Sequence, residues 1–230
     1  METSGVNLIV FDGYRGFHDG HRTAAASLKT VLGVEDFAYW NNWSRDGDSL
    51  KKRFDKASAW LEARVEDITD VNIIGLSMGC QLAIRFVHHA SIKTPSIKFG
   101  QLLLIAPDPK YRPGGRDAEE IKAGITSAFE EAAELWESRE PAGPRFVSGL
   151  IDAANRMERT RIIYCQSDGV AEWSANVELM VDELPATTGI ELIEAIDGET
   201  VSTGDMTIDL GVRSPELDVH DRLWESIIFV

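Results

Sequence analysis

A chain of 230 residues, 43% of them hydrophobic, is long enough to bury a sizeable core, and we expect one domain over residues 1–230. The formal net charge of -15 argues against a nucleic-acid partner, because such a surface repels phosphate backbones. No segment approaches the roughly 18 apolar residues that cross a bilayer. The N-terminus also lacks the basic start and long apolar region of a signal peptide, so we expect a cytoplasmic protein without a membrane span.

Strand-like and helix-like segments alternate along the chain, which predicts an α/β fold with a mostly parallel sheet flanked by helices. The apolar runs that indicate strands end at turn-forming residues, and the helical segments carry apolar residues close to the helical period. The predicted strands are 7–11, 36–40, 71–76, 102–106, 161–165 and 190–196, and the predicted helices are 22–32, 49–63, 78–89 and 172–184.

Two segments depart from this alternation. Residues 110–158 look mainly helical and are divided by Pro141 and Pro144. They could form a lid or cap over a site, or a long crossover between strands. Residues 200–212 are rich in Thr, Gly and Asp, which indicates a hairpin or an excursion from the sheet.

The strongest local signal is Gly75-Leu76-Ser77-Met78-Gly79, which lies between a predicted strand and a predicted helix. A nucleophilic serine needs a sharp, strained turn that exposes its hydroxyl above the end of the strand. Small residues two before and two after it allow the strand and the helix to approach closely. A simple strand-to-helix turn is the alternative explanation, but this context favours a nucleophile at Ser77.

A strand followed by this pentapeptide and a helix resembles the α/β-hydrolase superfamily. The similarity in the order of strands, helices and candidate residues extends from Leu8 to about His220. Only the pentapeptide matches at the level of a motif, so no subfamily is identified. The resemblance implies the chain order serine, acid, histidine. It also implies that the acid follows the next-to-last strand and that the histidine follows the last one.

Asp168 fits the position of the acid, because it lies in the loop after the predicted strand 161–165. Asp168-Gly169 is also a common turn sequence, so a role in the turn alone is the alternative. Two other aspartates compete with it. Asp108 ends the preceding strand, where some relatives have their acid, and Asp197 ends the last strand.

His220 fits the position of the base by its order in the chain. A neutral imidazole can take the serine proton and return it to the leaving group near neutral pH. The interval from Asp168 to His220 is longer than the superfamily usually has, and the segment 200–212 could absorb the excess.

The other four histidines suit this role less well. His88 and His89 belong to the helix after the pentapeptide, where side chains cover the sheet or face water. His18 and His21 lie in the first loop, and a metal site there is not predicted because polar side chains in such a loop are usually solvated. No dinucleotide-binding or phosphate-binding motif occurs, and no cofactor is predicted.

Two backbone amides are candidates for an oxyanion hole, the group that stabilises the negative oxygen of the acyl-transfer intermediate. Met78 directly follows the proposed nucleophile, and Tyr14 follows Gly13 in the loop after the first strand. Many relatives have His-Gly in that loop, where this chain has Asp12-Gly13. The alternative is that Asp12 and Gly13 form a tight turn and the loop supplies no oxyanion donor.

The sequence therefore predicts a serine hydrolase that cleaves a small-molecule acyl ester, like a carboxylesterase, through an acyl-enzyme. Ser77 attacks, His220 transfers protons and Asp168 orients His220. An acyl thioesterase and a non-catalytic binding protein with the same fold are the alternatives. The two cysteines, Cys80 and Cys165, are predicted to be reduced and buried, and the sequence carries no signal for an oligomeric state.

Overall fold

The computed structural model describes residues 6–11, 34–40, 50–63, 70–77, 79–107, 149–168, 189–211, 219, 222–223 and 226–229. Within these ranges, one helix lies between β2 and β3 and another between β3 and β4, and three further strands follow β6. In chain order the elements are β1 (Val6–Phe11), β2 (Val34–Trp40), α1 (Leu50–Glu62), β3 (Asp70–Leu76), α2 (Gly79–Lys93), β4 (Lys98–Ile105), β5 (Met157–Tyr164), β6 (Ile190–Glu194), β7 (Thr200–Thr203), β8 (Met206–Asp209) and β9 (Ile227–Phe229).

Six strands form one parallel sheet in the order β2-β1-β3-β4-β5-β6. The central strands are mainly apolar because a parallel sheet is covered on both faces; in β3 every residue from Val71 to Leu76 is buried. The predicted mostly parallel sheet flanked by helices is thereby confirmed. Each of the six predicted strands overlaps an observed one, and the helices predicted at 49–63 and 78–89 match α1 and α2. The segments 22–32 and 172–184 lie outside the described residues.

One face of the sheet, called the helix face here, is covered by α1, α2 and the helical residues 149–154. Alternate strand residues point to it, as the period of two requires, and the Phe11 ring packs against Phe86 of α2 with a centroid separation of 5.4 Å. Neither α1 nor α2 is both long enough and apolar enough to cross a membrane. The strand residues of this face are Ile9, Phe11, Val71, Ile73, Phe99, Leu102, Leu104, Ile162 and Tyr164.

The opposite face, called the hairpin face, packs against a second sheet of three antiparallel strands in the order β7-β8-β9. The segment 200–212, predicted as a hairpin or an excursion, contains the β7–β8 hairpin, and Ile227–Phe229 adds β9 to β8. Met206, Ile208 and Leu223 belong to the same buried cluster as the strand residues of this face. Those residues are Leu8, Val10, Ile74, Leu76, Leu103, Ile105, Ile163 and Ile193.

The candidate lid or cap, residues 110–158, lies mainly outside the described residues. The part that is described belongs to the body of the fold. Residues 149–154 are helical, and Leu150 and Ala153 pack into the helix face, while Met157 begins β5.

A network of ion pairs attaches the β7–β8 hairpin to the main sheet. The carboxylate of Asp205, in the hairpin turn, lies 2.9 Å from both Arg159 and Arg161 of β5. The side chain of Arg161 is only 1% exposed and also donates to Gln101 of β4. Burial lowers the pKa of Arg161, and the Asp205 carboxylate opposes that shift. The network keeps a buried guanidinium paired and fixes the position of the hairpin.

We expect Asp205→Asn to lower the free energy of unfolding by about 2 kcal/mol, because it removes the charge of a carboxylate that pairs with the buried Arg161. This expected loss is smaller than the loss from breaking a fully buried ion pair, because Asp205 is 41% exposed. Urea denaturation measures the loss. Glu191→Gln is the matched control, since Glu191 pairs only with the half-exposed Arg159 among the described ion pairs and should cost less than about 1 kcal/mol. Equal losses in the two variants would contradict the role assigned to Arg161.

Candidate active site

Ser77 lies on a strained turn between β3 and α2. It follows Leu76, the last residue of β3, and its φ angle is 52°. This left-handed conformation is uncommon for a residue with a side chain and tends to occur where function requires it. Helix α2 begins two residues later at Gly79, so the partial positive charge of its N-terminus lies next to the serine.

Gly75 explains how β3 and α2 come so close on either side of this turn. A Cβ atom at this position would lie 2.6 Å from the Cα of Cys80 and 2.9 Å from its backbone nitrogen. The oxygen of Gly79 would lie at 3.0 Å. Because all three atoms belong to the backbone, no side chain can move aside to admit a methyl group. Only glycine fits at position 75 in this arrangement.

We expect Gly75→Ala to lower the free energy of unfolding by about 3 kcal/mol, because the strand and the helix must separate to admit the methyl group. Thermal and urea denaturation measure the effect. Gly211→Ala is the control, since its added Cβ would first meet the Asp209 carboxylate oxygen at 3.0 Å, the end of a side chain that needs to shift by only a few tenths of an ångström. This control should stay within about 0.5 kcal/mol of the wild type. A Gly75→Ala protein as stable as the control would contradict the close packing.

Hydrogen bonds hold the serine in this turn. Its backbone N–H donates to the oxygen of Ile105 on β4 at 2.8 Å, and its own carbonyl accepts from the N–H of Cys80 at 3.0 Å. The side chain of Cys80 lies under the turn and also donates to the oxygen of Ile105. Ser77 is therefore tied to the neighbouring strand on one side and to α2 on the other, while the residue stays 9% exposed.

Asp168 lies at the same edge of the sheet as Ser77. It follows β5 in a turn closed by its backbone N–H, which donates to the oxygen of Cys165 at 3.0 Å, and the residue is 4% exposed. Since β4 alone separates β3 from β5, the backbone at the end of β3 lies about 10 Å from the backbone at the end of β5. An imidazole ring placed between the side chains could span such a gap.

Asp197, a rival candidate for the acid, follows β6 at this edge but binds an arginine. Its carboxylate accepts from Arg222 at 3.1 Å, and Arg222 also donates to the oxygen of Leu210 at 2.7 Å. Arg222 is itself buried. A carboxylate that neutralises a buried guanidinium already has a structural role.

The remaining predicted site residues lie outside the described part of the chain. They are His220, Met78, Tyr14 and the rival acid Asp108, together with His18 and His21 of the first loop. Val219, directly before His220, is nevertheless described, and so are Arg222 and Leu223 shortly after it. Val219 packs against the hairpin face, Leu223 is buried in it, and Arg222 reaches the end of β6 through Asp197.

The two histidines of α2 lie far from Ser77, at about 1.5 Å per residue along the helix. His88 Nδ1 lies 2.7 Å from the carboxylate of Asp152. Burial raises the pKa of Asp152, but hydrogen bonds from Arg156 and His88 outweigh it, so the pKa is below its ordinary value. Burial lowers the pKa of His89. These histidines are partly buried side chains of the helix, as the sequence predicts.

Cys80 and Cys165 are buried free thiols, as predicted. Cys165 lies in the turn that leads to Asp168, and its sulfur is 3.2 Å from the hydroxyl of Ser167. Within the described ranges, no group of three or more His, Cys, Asp or Glu side chains is arranged to hold a metal ion. The chemistry that the described edge offers is that of a serine and a carboxylate.

The similarity of this chain to known proteins is found in its structure and not in its sequence. No family model and no curated protein matches the chain. Among solved structures, a candidate hydrolase from Agrobacterium vitis S4 is 18% identical with a TM-score of 0.52, and the match covers 96% of this chain and 85% of the other. Carboxyl esterase 2 from Tuber melanosporum is 16% identical with a TM-score of 0.51, over 84% and 67%. The chain has the α/β-hydrolase fold.

A thermostable esterase from Pseudomonas putida ECU1011 is also similar in structure, at 11% identity and with a TM-score of 0.50. That match covers 85% of this chain and 65% of the esterase. At such identities the similarity concerns the fold alone. The choice of functional residues therefore depends on the geometry at Ser77 and at the edge around it.

Two features of this edge of the sheet are absent from the sequence prediction. One is the pairing of Arg222 with Asp197, which joins a helical residue to a turn residue 25 positions earlier and has no local pattern. The other is the positive φ angle of Ala106, 45°, at the end of β4. Alanine has no preference for that conformation, so no sequence signal could have identified it.

Proposed function

We propose that this α/β-hydrolase is a serine hydrolase that cleaves ester bonds, with Ser77 as its nucleophile. The observation that carries the proposal is the left-handed backbone of Ser77 on a strand-to-helix turn that only a glycine at position 75 permits. A serine in such a turn exposes its hydroxyl above the sheet, where an acyl group can approach it.

In the proposed mechanism, Ser77 Oγ attacks the ester carbonyl while His220 takes the hydroxyl proton. The backbone amides of Met78 and Tyr14 donate hydrogen bonds to the oxygen that becomes negative. His220 then gives the proton to the departing alcohol, which leaves an acyl-enzyme. A water molecule then attacks the acyl-enzyme while His220 takes its proton, and His220 returns that proton to Ser77 Oγ as the carboxylic acid leaves.

Asp168 is the proposed partner of His220. Its burial and its position two strands from Ser77 support this choice, because a buried carboxylate can fix the imidazole tautomer and stabilise its charged form. The pairing of Asp197 with Arg222 weighs against the rival at the end of β6. The segment around His220 is anchored to that edge through Val219 and Arg222, which supports His220 as the base.

The substrate class that we propose is a small-molecule acyl ester. Two of the solved structures that share the fold are described as esterases, and this similarity supports ester chemistry as a fold-level analogy. Thioesters of coenzyme A are the second substrate to assay, since the same acyl-enzyme chemistry cleaves them.

The proposal is tested with p-nitrophenyl esters of increasing acyl length, with acyl-coenzyme A thioesters and with a fluorophosphonate probe on the wild-type protein. We expect ester hydrolysis, and we expect mass spectrometry of the labelled digest to place the phosphonate on the peptide that contains Ser77. Turnover of thioesters alone would replace the ester substrate but keep the mechanism. A protein that neither turns over any of these compounds nor reacts with the probe would favour a non-catalytic binding role. Labelling at a different serine would refute the assignment of Ser77.

A further inference from the structure

Ala106 shares with Ser77 an unusual backbone conformation at the same edge of the sheet. Among the residues that the structure describes, these two are the non-glycine residues with positive φ angles, 52° for Ser77 and 45° for Ala106. They end the adjacent strands β3 and β4. Strained residues persist only where the surrounding structure holds them, and they cluster at functional sites.

Ala106 precedes Pro107, which makes its conformation more unusual still. A residue before proline is normally extended with a negative φ angle, because the proline ring crowds its backbone. An extended residue at this position would continue β4 past the level of Ser77. The chain instead bends at Ala106, so β4 ends at Ile105, beside the proposed nucleophile.

The peptide group between Ile105 and Ala106 connects the proposed nucleophile to the strand of the proposed acid. Its carbonyl oxygen accepts from the backbone N–H of Ser77 at 2.8 Å and from the thiol of Cys80 at 3.5 Å. Its N–H, which belongs to Ala106, donates to the oxygen of Ile163 on β5 at 2.8 Å. One rigid peptide plane therefore fixes the Ser77 turn relative to β5, from which Asp168 follows.

We propose that Ala106 is a positioning residue for the Ser77 nucleophile. Its left-handed conformation keeps the Ile105–Ala106 peptide aligned between the Ser77 turn and β5, and it turns the chain away before β4 can run alongside the serine. Alanine suits both tasks, because its Cβ restricts the backbone more than glycine does while it adds little volume next to Ser77. This inference rests on the proposed function of Ser77.

The test compares Ala106→Gly with the wild type. Glycine adopts a positive φ angle freely, so the variant should fold with a melting temperature close to that of the wild type. Because glycine also samples other conformations, the Ser77 turn should become less well fixed. We expect kcat for p-nitrophenyl ester hydrolysis to fall about tenfold with KM within about twofold of the wild type. Hydrogen exchange at the Ser77 amide should become about tenfold faster.

Ala195→Gly is the matched control. Ala195 is buried at the end of β6, and its N–H donates to the oxygen of Tyr164 at 2.7 Å, but its φ angle is not positive. This variant should keep the wild-type kcat and the wild-type exchange at Ser77. Unchanged kcat and unchanged Ser77 exchange in Ala106→Gly would overturn the inference, and so would an equal loss of kcat in Ala195→Gly.

The two readouts separate a failure of this inference from a failure of the proposed function. A wild-type protein without hydrolase activity refutes the proposed function, and exchange at the Ser77 amide then still decides whether Ala106 positions the turn. If the wild-type protein is active, and Ala106→Gly keeps both the full kcat and the slow exchange at the Ser77 amide, the inference is refuted and the proposed function stands.

Discussion

Ser77→Ala is expected to lower kcat for ester hydrolysis at least about 10³-fold and to abolish labelling by a fluorophosphonate. The variant removes the attacking oxygen and keeps the Cβ atom, so the strained turn and its hydrogen bonds to Ile105 and Cys80 can remain. KM should change little, because the substrate still meets the same surface. Steady-state kinetics, probe labelling and a melting curve measure the three properties.

Ser91→Ala provides the comparison for that variant. Ser91 lies near the end of α2, and its hydroxyl donates to the backbone oxygen of His88 at 2.8 Å, far along the helix from the Ser77 turn. Its loss should leave both kcat and labelling at wild-type levels. If Ser77→Ala kept its activity or its label, a different residue would be the nucleophile.

Asp168→Asn is expected to lower kcat by up to about 10⁴-fold, the size of effect seen when a catalytic aspartate loses its charge with its shape preserved. The amide cannot stabilise a charged imidazole, and its NH₂ group favours the wrong tautomer of the histidine. The pH profile should change as well, because the proposed base His220 would lose a neighbouring carboxylate that stabilises its charged form. Kinetics as a function of pH provides the measurement.

Asp197→Asn separates the proposed catalytic acid from an aspartate with a structural role at the same edge. It removes the charge that pairs with the buried Arg222, and we expect the free energy of unfolding to fall by about 1–2 kcal/mol. Because Arg222 lies two residues after His220, kcat should fall as well, but by less than about tenfold and far less than in Asp168→Asn. The opposite result, in which Asp197→Asn loses activity and Asp168→Asn retains it, would transfer the role of the acid to Asp197.

The parallel sheet and the Ser77 turn could be predicted because both leave local signals. Buried parallel strands are short apolar runs between turn residues, and the turn requires glycine at position 75, where a Cβ atom would meet the backbone of α2. The resemblance implied that the acid follows the next-to-last strand, and this led to Asp168. In the structure Asp168 follows β5, at the same edge of the sheet as Ser77.

The features that the sequence did not predict depend on contacts between distant segments. Strand β9 is only three residues long and is defined by pairing with β8. The ion pairs of Asp205 with Arg159 and Arg161 join a hairpin turn to a strand more than 40 residues away in the chain. Ala106 is an ordinary residue in an unusual conformation, which tertiary contacts impose. No periodicity or composition reports such effects.

The hairpin face also bears on how the protein folds during its synthesis. Leu8 and Val10 of β1 belong to the same buried cluster as Met206, Ile208 and Leu223, which the ribosome adds about 200 residues later. Contacts of such long sequence separation form slowly, and apolar surface that awaits its partner is prone to aggregate. The first strand therefore cannot complete its packing cotranslationally until the hairpin has emerged, and chaperones that shield apolar segments should influence the yield of folded protein.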